Sequence, residues 1–387
     1  EGNTNTTTVS GRIETTGATA TDDGTAYGAY GIYNVGNKNK TTVTDSITTA
    51  GDAASGIYNK GDTNTTTLSG SITTTGNILC NGGPSCSYYA NGIYNEGNKN
   101  KTTVSGSITT GGTSALGIYN QGDDNETTVS GSITTEGSSA YGIWNYGDDN
   151  EITVSGSITT TSDYAYGIRN TGDENETTVS GRITTEGSSA YGIYNRGNSN
   201  TTTMSGKLET TGEDAIGIYN DGNNNETTLS GRIETTRDYA HGIYNRGNSN
   251  KTTVSETGSI KTTGEDAMGI VNYGSSNITT ISGTVKSTGA SSAALDNYSG
   301  SGNSFTLNEG AIIIGDILAR DHTNNALDAT NSKLIFNLGA STSYAYSVSG
   351  KGEGTNAGQW TFSDLDGRTQ VVSTLTGTNA SVCDTTI

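Results

Sequence analysis

A unit of 25 residues recurs through most of this chain, anchored on a Gly-Ile-aromatic-Asn step, and that period constrains the fold more than any other feature. The glycines opening the step are Gly31, Gly56, Gly92, Gly117, Gly142, Gly167, Gly192, Gly217, Gly242 and Gly269. Every interval from Gly92 to Gly242 is 25 residues. A fixed period of this length marks an array of stacked units, none of which can bury its own apolar face alone. Length would otherwise suggest two or three globular domains for 387 residues. The repeat replaces that expectation with one elongated body.

Within a unit, Val129, Gly131 and Ile133 alternate with Ser130, Ser132 and Thr134, a period of two that predicts a strand over 128–134. Gly137 then closes a turn, Ala140 to Asn145 form a second extended stretch, and Gly147 closes the next turn. Across copies the apolar residues fall in columns: Val9 to Ile281, Ile13 to Val285, Ile32 to Leu295, and an Ala column from Ala29 to Ala267. The expected fold is all-β, a β-solenoid (parallel β-helix) with 25-residue coils. Eleven coils over residues 1–297, at about 4.8 Å each, would span roughly 50 Å. Residues 298–387 drop the pattern. There Ala311–Leu318, Leu334–Leu338, Trp360–Phe362 and Val371-Val372 predict irregular C-terminal β coils and a cap.

Only 29% of residues are hydrophobic, with 56 Gly and one Pro, a composition that could mean disorder. The apolar residues stay in phase over ten copies, which a disordered chain does not require. Asn follows two residues after the third Ile, from Asn34 to Asn297, and recurs in the loop from Asn39 to Asn277. Stacked Asn side chains can hydrogen-bond along the axis, and Asn suits tight turns, so both columns read as structural.

The net charge of −19, without a basic patch, excludes nucleic acid and anionic lipid as expected partners. No apolar run approaches the roughly 20 residues that span a bilayer, so this segment is not expected to insert in a membrane. Cys80 and Cys86 bracket a short Gly-Pro loop and read as a disulfide in an oxidising compartment, with two free thiols the alternative. Cys383 has no evident partner. Insertions near Thr19 to Tyr27, near Asn77 to Tyr88, and at Glu256-Thr257 read equally as binding loops or neutral decoration. Glu1 to Asn5 match the turn of the repeat, so the chain starts in phase without a distinct cap. An uncapped coil is a template for pairing, so either further chain precedes Glu1 or something stacks there. The latter leads to the expectation of head-to-tail assembly with copies of itself into a filament.

Chemistry is sparse. His241 and His322 are the two histidines, and His241 reads as an exposed substitute in a slot elsewhere held by Tyr, Leu, Ile or Met. No nucleophile triad, zinc cluster or phosphate loop can be assembled, so no catalytic residue, metal or cofactor is assigned and no enzyme activity is expected. Asp123-Asp124, Asp148-Asp149 and Asp173-Glu174 stack in one loop and read as solvated turns rather than a weak Ca²⁺ site. A polysaccharide-cleaving enzyme would need a carboxylate pair, and none stands out. The Ser/Thr face is interrupted by Arg12, Arg182, Lys207 and Arg232, which argues against ice binding.

The candidate contact stripe is an outward column of Tyr33, Tyr58, Tyr94, Tyr119, Trp144, Arg169, Tyr194, Tyr219 and Tyr244. Tyr141, Tyr166 and Tyr191 form a second column three residues earlier. Two readings stand together: mutual stacking that fixes register, and a sticky surface for glycan, a surface protein or sister subunits.

The units SGRITTEGSSAYGIYNRGNSN and SGSITTTSDYAYGIRNTGDEN resemble the repeats of bacterial autotransporter passenger domains. NSKLIFNLGASTSYAYSVSG with QWTFSDLDGR resembles the passenger end that precedes the outer-membrane barrel. The resemblance covers nearly the whole chain, and implies a right-handed solenoid, secretion, and display on or release from the bacterial cell surface. The translocator barrel of that family is not in this sequence. The expected function is an extracellular structural or adhesive element, with a monomeric adhesin as the alternative.

Overall fold

Triplets such as Thr-Thr-Val and Ser-Ile-Thr are too short to be stable alone, so each must pair with its own copy one coil away. The computed structural model describes residues 2–20, 26–77, 90–321, 332–337, 348–352 and 360–364, and shows this arrangement. The protein is an all-β parallel solenoid with coils of about 25 residues, and no helix occurs among the described residues. Each regular coil supplies three four-residue strands. In one coil these are Glu126–Val129, Ser132–Thr135 and Ile143–Tyr146, each in a different parallel sheet.

The chain divides into two units, Glu1–Arg196 and Gly197–Ile387. In the first, Val129 pairs with Val104 and Val154, Ile133 with Ile108 and Ile158, and Ile143 with Ile118 and Ile168. In the second, Leu229, Val254, Ile281 and Leu307 are successive partners in one sheet, as are Ile243, Ile270 and Leu295 in another. Identical or similar side chains therefore sit on one another, and the three apolar columns are fully buried through most of their length.

The run expected as one strand over 128–134 is two. It breaks at Ser130-Gly131, where both backbone N–H groups donate to the Val104 carbonyl, at 2.8 and 3.1 Å. Two donors on one acceptor turn the chain through a corner, so Val129 and Ile133 point into the core from different sheets. A Cβ on Gly131 would lie 1.8 Å from the Gly106 carbonyl oxygen. The corner thus requires glycine for close approach. The second extended stretch likewise begins at Ile143 rather than Ala140, because Ala140 to Gly142 form another corner.

The interior is also more polar than four apolar residues per coil suggest. Thr127, Thr135, Asn125 and Asn145 are buried beside them. Beyond residue 297 pairing continues, with Ser304–Asn308 in register on Ile278–Ile281. Ala311–Leu318, expected as a single strand, divides at Gly315 (φ 118°) into Ile312–Ile314 and Asp316–Asp321. The first insertion forms a short antiparallel pair, Ala18–Ala20 with Ala26–Gly28. Cys80, Cys86, Cys383, His322 and Val371-Val372 lie outside the described residues.

Candidate functional site

The residue after each third-sheet Ile leaves the outer side of that sheet, and the strand spacing of about 4.8 Å matches the thickness of stacked aromatic rings. In the first unit the rings use this coincidence. Tyr58 and Tyr94 stack at 4.7 Å between centroids, Tyr94 and Tyr119 at 4.9 Å, and Tyr119 and Trp144 at 4.8 Å. Tyr33 lies 5.2 Å from Tyr58 at the start of the column. Arg169 then takes one ring's place. Its guanidinium lies 4.8 Å from the Trp144 centroid and 5.7 Å from that of Tyr194, and its Nη1 donates to the Tyr141 hydroxyl at 2.9 Å.

The second column is equally regular. Tyr141 stacks on Tyr166 at 4.8 Å, and Tyr166 on Tyr191 at 4.9 Å, with interplanar angles of 2° and 1°. These rings meet the first column edge to face, at 78° for both Tyr141–Trp144 and Tyr166–Tyr194. In the second unit Tyr219 and Tyr244 are T-shaped at 84°, and the next position is Val271, buried against Met268 and Leu318. His241, expected as an exposed substitute, is half-buried. Its slot borders the column, so its ring stacks on Tyr244 and its Nδ1 accepts the Met268 N–H at 3.0 Å.

Stacking determines what the stripe can offer. Its ring faces are occupied by neighbours, so Tyr58 and Tyr119 are only 9% and 7% exposed, against 46% for Tyr33. What points outward is mainly edges and hydroxyls. The Tyr58 hydroxyl donates to the Glu96 carboxylate and the Tyr94 hydroxyl to Gln121 Oε1. Burial and the Glu96 carboxylate both push the Tyr58 phenol above its ordinary pKa, and burial does the same to Tyr244. More exposed rings lie elsewhere in the unit: Tyr146, edge-on to Trp144, and Tyr164, in the turn at 162–165, at 49% and 56% exposure. The sequence reading missed both, because Tyr recurs at these positions only irregularly, as at Tyr273 and Tyr239, among unlike residues.

The acidic turns have a structural task. The Asp148 N–H donates to Asp123 Oδ1 at 2.9 Å, the Asp173 N–H to Asp148 Oδ1 at 2.8 Å, and the Asp123 N–H to Asn98 Oδ1 at 2.9 Å. Asp and Asn interchange here because each supplies the same acceptor oxygen. No three His, Cys, Asp or Glu side chains gather as a metal cage among the described residues. No protein family, curated protein or solved structure matches this chain.

Proposed function

We propose that this chain is an extracellular structural and adhesive element of the autotransporter-passenger type, without catalytic activity. The observation that carries the reading is the aromatic ladder of the third sheet, with the exposed ring of Tyr146 against it and that of Tyr164 exposed in a turn of the same unit. A stacked ladder lends stiffness in register, and exposed aromatic groups are a contact surface of the kind used for proteins and glycans. The resemblance of the repeat to bacterial autotransporter passengers supports secretion and a place at the cell surface. The turn carboxylates that could serve a glycosidase already accept backbone N–H groups, which favours a structural role over catalysis.

Two forms of this function are distinguishable. In the first, copies associate head to tail, with the coil-to-coil chemistry of one chain repeated between chains. In the second, single copies bind a glycan or surface protein through Tyr146 and Tyr164. Negative-stain microscopy over a concentration series, joined to glycan-array and matrix-protein binding, separates them. Filaments support the first. Ligand binding by isolated particles supports the second, and it should fall at least tenfold in Tyr146→Ala/Tyr164→Ala with the circular dichroism unchanged. Isolated particles that bind nothing on either array would sink both.

A further inference from the structure

The loop Asn column coincides with a second pattern, Asn-x-Thr. It occurs at Asn39, Asn64, Asn100, Asn125 and Asn175, and again at each loop Asn from Asn200 to Asn277. Asn150 is the exception, because Ile152 stands two residues later. Asn-x-Thr is the acceptor signal for N-linked glycan, normally read as a mark of a surface loop.

Here the structure gives both recognition groups another use. Asn125 is 1% exposed, its Oδ1 accepts the Asn100 N–H at 2.9 Å, and its Nδ2 donates to the Gly122 carbonyl at 2.9 Å. Thr127, the third residue of that triplet, is fully buried, and its hydroxyl accepts Asn120 Nδ2 at 2.9 Å. In the second unit Asn250 Oδ1 accepts the Asn225 N–H at 2.8 Å, Asn225 Nδ2 donates to the Gly197 carbonyl at 3.0 Å, and Thr252 accepts Asn245 Nδ2 at 3.0 Å. A glycan on Nδ2 would have to fit where the next coil lies about 4.8 Å away. It would also remove the carboxamide from its buried partners.

We infer that folding and N-glycosylation of the loop Asn column from Asn39 to Asn277 are mutually exclusive. The unfolded chain carries a series of acceptor sites, and the folded chain presents none of those from Asn39 to Asn277, whereas Asn5, the exposed first member of the column, stays accessible. In transfer, Nδ2 bonds the anomeric carbon of the donor as its bond to the lipid diphosphate breaks, the lipid diphosphate leaves, and one Nδ2 proton is given up; during passage through a glycosylating secretory compartment this step therefore blocks the fold, and folding before it protects the Asn. The inference rests on the Asn and Thr contacts and not on the adhesive reading.

The test uses purified full-length chain, an N-oligosaccharyltransferase and its lipid-linked oligosaccharide donor. Folded chain, urea-unfolded chain diluted into the assay, and a synthetic peptide of residues 120–132 are compared by site-resolved mass spectrometry. Transfer to Asn125 in the peptide and the unfolded chain, with at least a hundredfold less in the folded chain, is expected. Chains modified at Asn125 or Asn250 should then fail to regain protease resistance on refolding, whereas mock-treated chains regain it. Comparable occupancy of Asn125 in the folded chain, or a glycosylated chain that refolds to full resistance, would overturn the inference. So would absence of transfer to the peptide, because the triplet would then not be an acceptor.

Discussion

Each regular coil holds two left-handed residues that are not glycine, one in each of its two turns. In one turn they include Lys38, Thr63, Lys99, Asp124 and Asn224, with φ near 58°, and in the other Ser139, Tyr164 and Tyr239. This conformation is tolerable for Asn and Asp and costs about 1 kcal/mol or more for other L-residues, most of all a β-branched one. Thr63, at φ 58°, is with Thr4 a β-branched member of its column. Replacing it with Asn, the residue present at 224, should raise stability by about 1 kcal/mol. A denaturant midpoint that does not move would show the turn to be relaxed. The neighbouring turn position tests the acceptor argument. Asp148→Asn keeps the oxygen that receives the Asp173 N–H and should cost nothing, while Asp148→Ala should cost about 1 kcal/mol. Equal losses in the two variants would mean that charge, not the acceptor, is what this position supplies.

The elements are ladders more than strands. Asn59, Asn95, Asn120 and Asn145 pass a hydrogen bond from carboxamide to carboxamide at 2.8 Å, and Asn220, Asn245 and Asn272 do so at 2.9 Å in the second unit. The second proton of each except Asn145 goes to a buried Thr, as from Asn120 to Thr127; for Asn145 that place is held by Ile152. The Asn step was legible in the sequence as a ladder, since identical residues at one period must meet. The Thr half was not, although a two-residue period puts Thr127 on the face of Val129, because a hydroxyl has no reason to be inside until its Asn120 partner is seen. The aromatic ladder gives the next prediction. Arg169→Tyr should preserve or raise stability by restoring ring contact with Trp144 and Tyr194. Arg169→Ala, which leaves a gap between them, should lower it by roughly 1–2 kcal/mol. A loss on Tyr substitution would show that the cation, rather than the stack, fits that slot.

The charged cluster on the second sheet of the second unit predicts a pH effect at the same scale. Glu234 bonds Lys261 at 2.7 Å and Arg232 at 2.9 Å. The Lys261 hydrogen bond, with help from the charges of Arg232, Lys261 and Lys207, holds its carboxyl below the ordinary value against partial burial, which raises it. A depressed carboxylate adds stability that is full above its unfolded pKa, about 4.3, and is lost as pH falls through the folded value. Glu234→Gln should therefore be less stable than the parent at pH 7, by a margin that narrows as pH falls below about 4.3. A difference that persists unchanged at pH 3 would place the effect in packing instead of charge.

At the scale of the whole molecule, the period alone made the solenoid legible, because a 25-residue unit with in-phase Ile columns has nowhere to bury them except against its copies. Corners were not legible, since Ser-Gly between two apolar positions looks like strand alternation until the carbonyl of the preceding coil is seen 1.8 Å from a would-be Cβ. The contact surface was half legible. The column of rings was visible, but their consumption of one another's faces follows from the match of ring thickness to coil rise. Contacts that run only between neighbouring coils also predict how damage spreads. Stability in such an array is nearly a sum of coil terms and nearest-neighbour terms. Asn120→Ala removes a link from the carboxamide ladder and leaves the Asn95 donor and the Asn145 acceptor without that partner. Each such buried loss costs about 1–3 kcal/mol. Native-state hydrogen exchange should show protection falling in Ile93–Glu96, Ile118–Gln121 and Ile143–Tyr146, and little change in Ile193–Arg196, two coils further on. A uniform loss across all four strands would mean that the first unit opens as one cooperative body, and that its ladders transmit strain well beyond adjacent coils.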